Sequence, residues 1–122
     1  MHTPNHPPLI GLVGVCASGK STLIKELQTF AVNCRHIAQE HSYVPDMWQR
    51  LTHPDILVFL EVSYANTLER RKLNWTIAEY EEQLYRLRHA REHADLIINT
   101  NLSSPQEIAS QILRYIDLTE MK

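Results

Sequence analysis

The stretch GVCASGKST, from Gly14 to Thr22, constrains the fold of this chain more than any other. The protein has three glycines in 122 residues, and two of them, Gly14 and Gly19, stand here, before a lysine and two hydroxyls. The spacing fits G-x-x-x-x-G-K-[ST] at every fixed position. An apolar run, Leu9 to Val15, precedes it and reads as a buried strand. An amphipathic pattern follows it, with Leu23, Leu27 and Phe30 at helical spacing and Ile24 and Ala31 beside them. A glycine-bearing turn between strand and helix can curl its N–H groups toward one centre. The helix N-terminus adds unpaired amides and the positive end of a dipole, a combination that suits a chain of phosphates. Lys20 supplies a full positive charge for the β- and γ-phosphates, and Ser21 a hydroxyl for Mg2+. The expected nucleotide-binding set is Gly14, Cys16, Ala17, Ser18, Gly19, Lys20, Ser21 and Thr22, with ATP and Mg2+ as the bound species.

The remaining elements alternate. Asn33 to Glu40 is a weak strand pattern, and His41 to Pro54 is a polar and aromatic connection with one short helix around Met47 to Leu51. Asp55 to Val62 is the strongest strand, its run from Ile56 to Leu60 uninterrupted, as a strand covered on both faces requires. Ser63 caps a helix carrying Leu68 and ending near Asn74. Thr76 and Glu79 form a capping box for the next, with Ile77, Tyr80, Leu84, Leu87 and Ala94 as its inward stripe. Asp95 to Thr100 is the last strand. Ser104, Pro105 and Glu107 open a final helix whose Ile108, Ile112 and Ile116 face inward. Strands alternating with helices predict an α/β three-layer sandwich: a short, mostly parallel sheet of about four strands with helices on both faces.

Composition excludes more than it selects. Hydrophobic residues make up 43% and charged residues 21%, as expected of a soluble protein with one real core, and the net charge of -2 gives no field that would favour nucleic acid. The expectation is a single nucleotide-binding domain over 1–122 with a flexible proline-rich head over 1–8. No run approaches the length that spans a bilayer, and MHTPNHPP lacks the pattern of a signal peptide, so no membrane partner is expected. Cys16 and Cys34 have neither CxxC pairing nor metal-ligand spacing, which fits a reducing cytoplasm. Nothing decides between a monomer and a homo-oligomer. HAREH, His89 to His93, matches H-x-x-E-H, a zinc-protease signature, but it falls in a last helical turn and has no third ligand in the short tail.

The guanine signature N-K-x-D is missing, and no D-x-x-G can exist because no glycine follows Gly19, so a GTPase is excluded. The chain resembles the P-loop kinases, the group of nucleoside and nucleoside-monophosphate kinases and their small-molecule relatives. The resemblance rests on GVCASGKST, on PDILVFLEVS followed by a helix with Arg70 and Arg71, and on ADLIINT followed by SPQEIASQIL. It implies a phosphotransferase that moves the ATP γ-phosphate to a small acceptor. It also implies a lid at Arg70 to Trp75, whose Arg70 and Arg71 neutralise phosphoryl oxygens, helped by Arg88 and Arg91 on the following helix. The plain alternative for each arginine is a surface ion pair with Glu69, Glu81 or Glu92. Such enzymes need an acid near Mg2+. Glu40, expected to end the second strand at the carboxyl edge of the sheet, is favoured over Glu61 and Asp46. Lys20, Glu40, Arg70, Arg71 and Arg88 are thus the catalytic candidates, with Ser21 and Glu40 for the metal. Tyr43, Trp48 and Arg50 are candidates for an acceptor pocket within His41 to Pro54. Because the helical insertion that holds the acceptor in such kinases is missing, the competing expectation is a nucleotide-binding module that lacks catalysis or needs a partner.

Overall fold

The computed structural model describes residues 8–30, 32–71 and 74–120; of Arg71 and of residues 118–120 it describes the backbone alone. The expected flexible head, Ala31, and Lys72 and Leu73 of the expected lid lie outside the described residues, apart from Pro8. Four strands, β1 (Ile10–Gly14), β2 (Cys34–His36), β3 (Ile56–Glu61) and β4 (Leu96–Asn99), form one sheet in the order β2-β1-β3-β4. Every pairing is parallel, with Gly14 opposite Leu60 and Glu61 opposite Asn99. The helices are α1 (Lys20–Gln28), α2 (Met47–Thr52), α3 (Tyr64–Arg71), α4 (Ile77–Arg86), α5 (Arg88–His93) and α6 (Pro105–Glu120), with a 3-10 turn at Gln39–His41. None of the helices described is long and apolar enough to cross a membrane.

The period of two along a strand divides the core. Ile10, Leu12, Val58, Leu60 and Ile98 point to one face, where Leu23 and Leu27 of α1 and Ile108 and Ile112 of α6 cover them. Val13, Leu57 and Phe59 point to the other, under Trp48 of α2, Leu87 and Ala90. The central strands β1 and β3 are therefore apolar at almost every position. The edge strand β4 leaves Ile97 exposed.

Three local expectations change. Strand β2 stops at His36, and Glu40 sits in the 3-10 turn instead of ending a strand. Phe30 lies past the end of α1 and is exposed. The helix expected to run unbroken past Thr76 tightens at Leu87, whose N–H is shared between the carbonyls of Gln83 and Leu84 at 3.0 and 3.2 Å. That turn swings Leu87 and Ala90 into the core and leaves Ile77 and Leu84 outside, while Gln83 takes a buried place.

Candidate nucleotide-binding site

The loop between β1 and α1 is shaped by its two glycines. A Cβ at Gly14 would lie 2.7 Å from Ser18 Oγ and 2.8 Å from the Leu60 carbonyl, so only glycine lets the loop fold back against β3. Gly19 has φ 98°, a left-handed conformation that glycine adopts without cost, and Ala17 shares the region at φ 65°. Helix α1 begins at Lys20 with no side-chain cap and no acid in its first turn, so its leading amides stay open to an anion. The Lys20 side chain turns back under the loop. Its Nζ donates to the Gly14 carbonyl at 2.5 Å and the Val15 carbonyl at 3.4 Å, and pairs with Glu40 Oε2 at 2.8 Å. Both partners of that ion pair are about 95% buried, their side chains 5% and 3% exposed.

Glu40 reaches Lys20 from the 3-10 turn, which is held by buried Gln39. That side chain donates to the carbonyls of Val44 and Arg86 and accepts the Trp48 N–H. Loop and turn enclose a cavity of about 200 Å³, lined by Lys20, Ser21, His36, Glu40 and His41 among others. Partial burial, followed by the Lys20 charge, pulls the His36 imidazole below its ordinary pKa. The donor set fits Mg2+, a hard cation that takes oxygen ligands. The Ser21 hydroxyl lines the cavity, and Glu40 Oε1 is buried with no hydrogen-bond partner among the described residues. The other two carboxylates are engaged elsewhere. Glu61 accepts from Arg91 at 2.8 Å. Asp46 accepts from Arg50 at 2.9 Å, a bond that holds its carboxyl below the usual range.

The arginines separate. Arg70 lies against the back of the loop: Nη1 donates to Thr100 Oγ1 at 3.0 Å and lies 3.4 Å from the carbonyls of Ala17 and Ser18, and Nη2 donates to the Thr100 carbonyl. It borders a cavity of about 290 Å³ with Gly19, Thr22, Thr100 and Pro105. Arg88 and Arg91 border another, of about 320 Å³, at the carboxyl end of β3 with Val15, Glu61 and Tyr80. Arg88 stacks on Tyr85 at 3.9 Å and donates to its carbonyl. Arg71 has no described side chain. Tyr43, Trp48 and Arg50 do not converge. Tyr43 is 80% exposed beneath Arg86, Trp48 is core, and Arg50 is paired with Asp46.

His89 and His93 are structural. Their rings stack at 4.2 Å, and the Trp48 indole donates to His89 Nδ1 at 3.1 Å. The group that does gather metal-type ligands among the described residues is Cys16, Glu40 and His41. Sequence reasoning missed His41, and also Thr100 and Gln83, whose amide oxygen accepts the Cys16 N–H at 3.0 Å.

A glycine-bearing loop between β1 and α1, a buried lysine–glutamate pair and an all-parallel four-stranded sheet delimit the possible folds. No family model matches the sequence, and no curated protein does either. Among solved structures, the shikimate kinase from Acinetobacter baumannii in complex with shikimate superposes with a TM-score of 0.68, over 95% of this chain and 96% of that one, at 17% identity. The chain has the P-loop kinase fold. In that fold the cavities beside Gly19 and beside Val15 both adjoin the loop that follows the first strand, at the carboxyl edge of the sheet, where ligands of open α/β folds bind.

Proposed function

We propose that this protein is an ATP-dependent phosphotransferase that moves the γ-phosphoryl group to a small acceptor bearing a hydroxyl or a phosphate. The observation that carries the reading is Lys20, a buried ammonium gathered under the loop by two main-chain carbonyls and Glu40. A polyphosphate held on the loop amides would give this ammonium a further anionic partner beside Glu40. The nucleotide base and ribose fit the cavity between Arg70, Thr100 and Pro105. Ser21 and Glu40 would hold Mg2+, which would supply charge neutralisation of the phosphates. In this reading Glu40 would also accept the acceptor's hydroxyl proton. The acceptor would enter beside Val15, in the cavity where Arg88 and Arg91 stand with Glu61 and Glu92. Two free cysteines suit a cytoplasmic setting.

The competing reading is a nucleotide-binding module without catalysis of its own. It is favoured by the dispersal of Tyr43, Trp48 and Arg50, which do not meet around one space in the His41 to Pro54 connection. Incubation with ATP and Mg2+ and a panel of nucleosides, nucleoside monophosphates, shikimate and related hydroxy acids distinguishes the two. The expected result is phosphorylation of at least one acceptor, lowered about 100-fold or more in kcat/KM by Lys20→Ala. Tight nucleotide binding with no transfer to any acceptor would establish the module instead.

A further inference from the structure

We propose that Cys16, Glu40 and His41 form a binding site for a zinc-like divalent metal ion in the nucleotide-free protein. Cys16 belongs to the phosphate loop, while Glu40 and His41 belong to the 3-10 turn, so the site joins two segments that the sequence holds far apart. Their ligand atoms all lie within 4.8 Å of one another. Cys16 Sγ is 3.8 Å from His41 Nε2, and that nitrogen is 3.7 Å from Glu40 Oε2. A tetrahedral zinc ion with bonds of about 2.0 to 2.3 Å places its ligand atoms about 3.6 Å apart, close to the two spacings that His41 makes, while the three together must draw in from within 4.8 Å.

Two further observations point to a cation. Glu40 is buried and one of its oxygens, Oε1, has no hydrogen-bond partner among the described residues. Oε2, 3.7 Å from His41 Nε2, already answers Lys20 at 2.8 Å, and Oε1 is the oxygen left for a second positive charge. Cys16 is also held in place from outside the cluster. Gln83 accepts its N–H and donates Nε2–H toward Sγ at 3.3 Å, which is the outer support a metal-bound thiolate takes. Thiolate with imidazole selects zinc or cobalt over magnesium, which prefers oxygen alone. Binding releases the Cys16 thiol proton to solvent and leaves the fourth position for water. Glu40 is shared with the Mg2+ of the proposed nucleotide complex, so the two metals are alternatives.

The test is a Co2+ titration of the full chain under reducing conditions and without nucleotide, so its outcome does not depend on whether the loop binds ATP. A single equivalent should bind with a thiolate-to-cobalt charge-transfer band, and Zn2+ should abolish that band. Cys16→Ser should remove it, His41→Ala should weaken Co2+ binding about tenfold or more, and Cys34→Ser should leave it unchanged. No band in the wild-type protein, or a band that survives Cys16→Ser, overturns the site. Should Cys16→Ser lose its fold by circular dichroism, the wild-type chain still decides. Zn2+ should protect Cys16 but not Cys34 from iodoacetamide, and equal alkylation of Cys16 with and without Zn2+ overturns the proposal.

Discussion

Lys20 and Glu40 put opposite charges out of water, and each depends on the other for that position. Removing one partner of a buried pair leaves an uncompensated charge, which typically costs 3–5 kcal/mol, whereas replacing both with apolar side chains is often near neutral. Glu40→Ala should therefore lower the unfolding free energy by about 3 kcal/mol in urea at pH 7, and Lys20→Met combined with Glu40→Leu should recover most of that loss. The double variant, which lacks the Lys20 ammonium, should not bind nucleotide. Wild-type stability in Glu40→Ala would mean that the pair is solvated in solution. At this scale the sequence was legible where the chemistry is local. Gly14, Gly19 and Lys20 are fixed by their mutual spacing, and the structure explains both glycines by a close approach and a positive φ. Gln83, Thr100 and His41 carried no such signal. A polar residue is drawn into a site by what packs beside it from elsewhere, such as the Cys16 amide that meets Gln83.

Among elements, the caps were the most readable features, because a capping box is complete within four residues. Thr76 and Glu79 close one at α4, and Ser104 and Glu107 another at α6. The Ser104 amide donates to Glu107 Oε1 at 2.8 Å, and the backbone and hydroxyl of Ser104 hold this carboxyl below its ordinary value of 4.5. A depressed folded pKa contributes stability that is fully present above the unfolded value of about 4.5 and is lost as pH falls through the folded one. Glu107→Gln, which keeps an acceptor for the Ser104 amide but cannot ionise, should be less stable than wild type at pH 6. It should lack that acid-dependent loss, so the two urea midpoints converge as pH falls below the ordinary value of 4.5 and through the depressed folded one. A constant gap between them would deny the ionised carboxylate its role in the cap. The break between α4 and α5 was not legible. Its stripe of apolar residues is continuous, and only contact with β3 decides that Leu87 turns inward while Leu84 stays outside.

At the scale of the whole molecule, the alternation of elements was enough to give a parallel sheet covered on both faces, since apolar β1 and β3 must be central. The strand order was not available from the chain, because it depends on which crossovers place β1 between β2 and β3. That order makes the loop's support common to everything around it. Gly14 leans on β3, Lys20 on the 3-10 turn after β2, and Arg70 ties the loop to the residue after β4. We expect one cooperative domain as a consequence, and a ligand on the loop should stabilise all of it. Heating should give a single calorimetric transition. ATP with Mg2+ at about 100 times its dissociation constant should contribute about 2.7 kcal/mol, which for a chain of this size raises the midpoint by about 10 °C. Lys20→Ala should melt in one transition as well, but without the nucleotide shift. Two resolved transitions would divide the chain into separate units, and a wild-type midpoint indifferent to nucleotide would remove the ATP reading while leaving the fold intact.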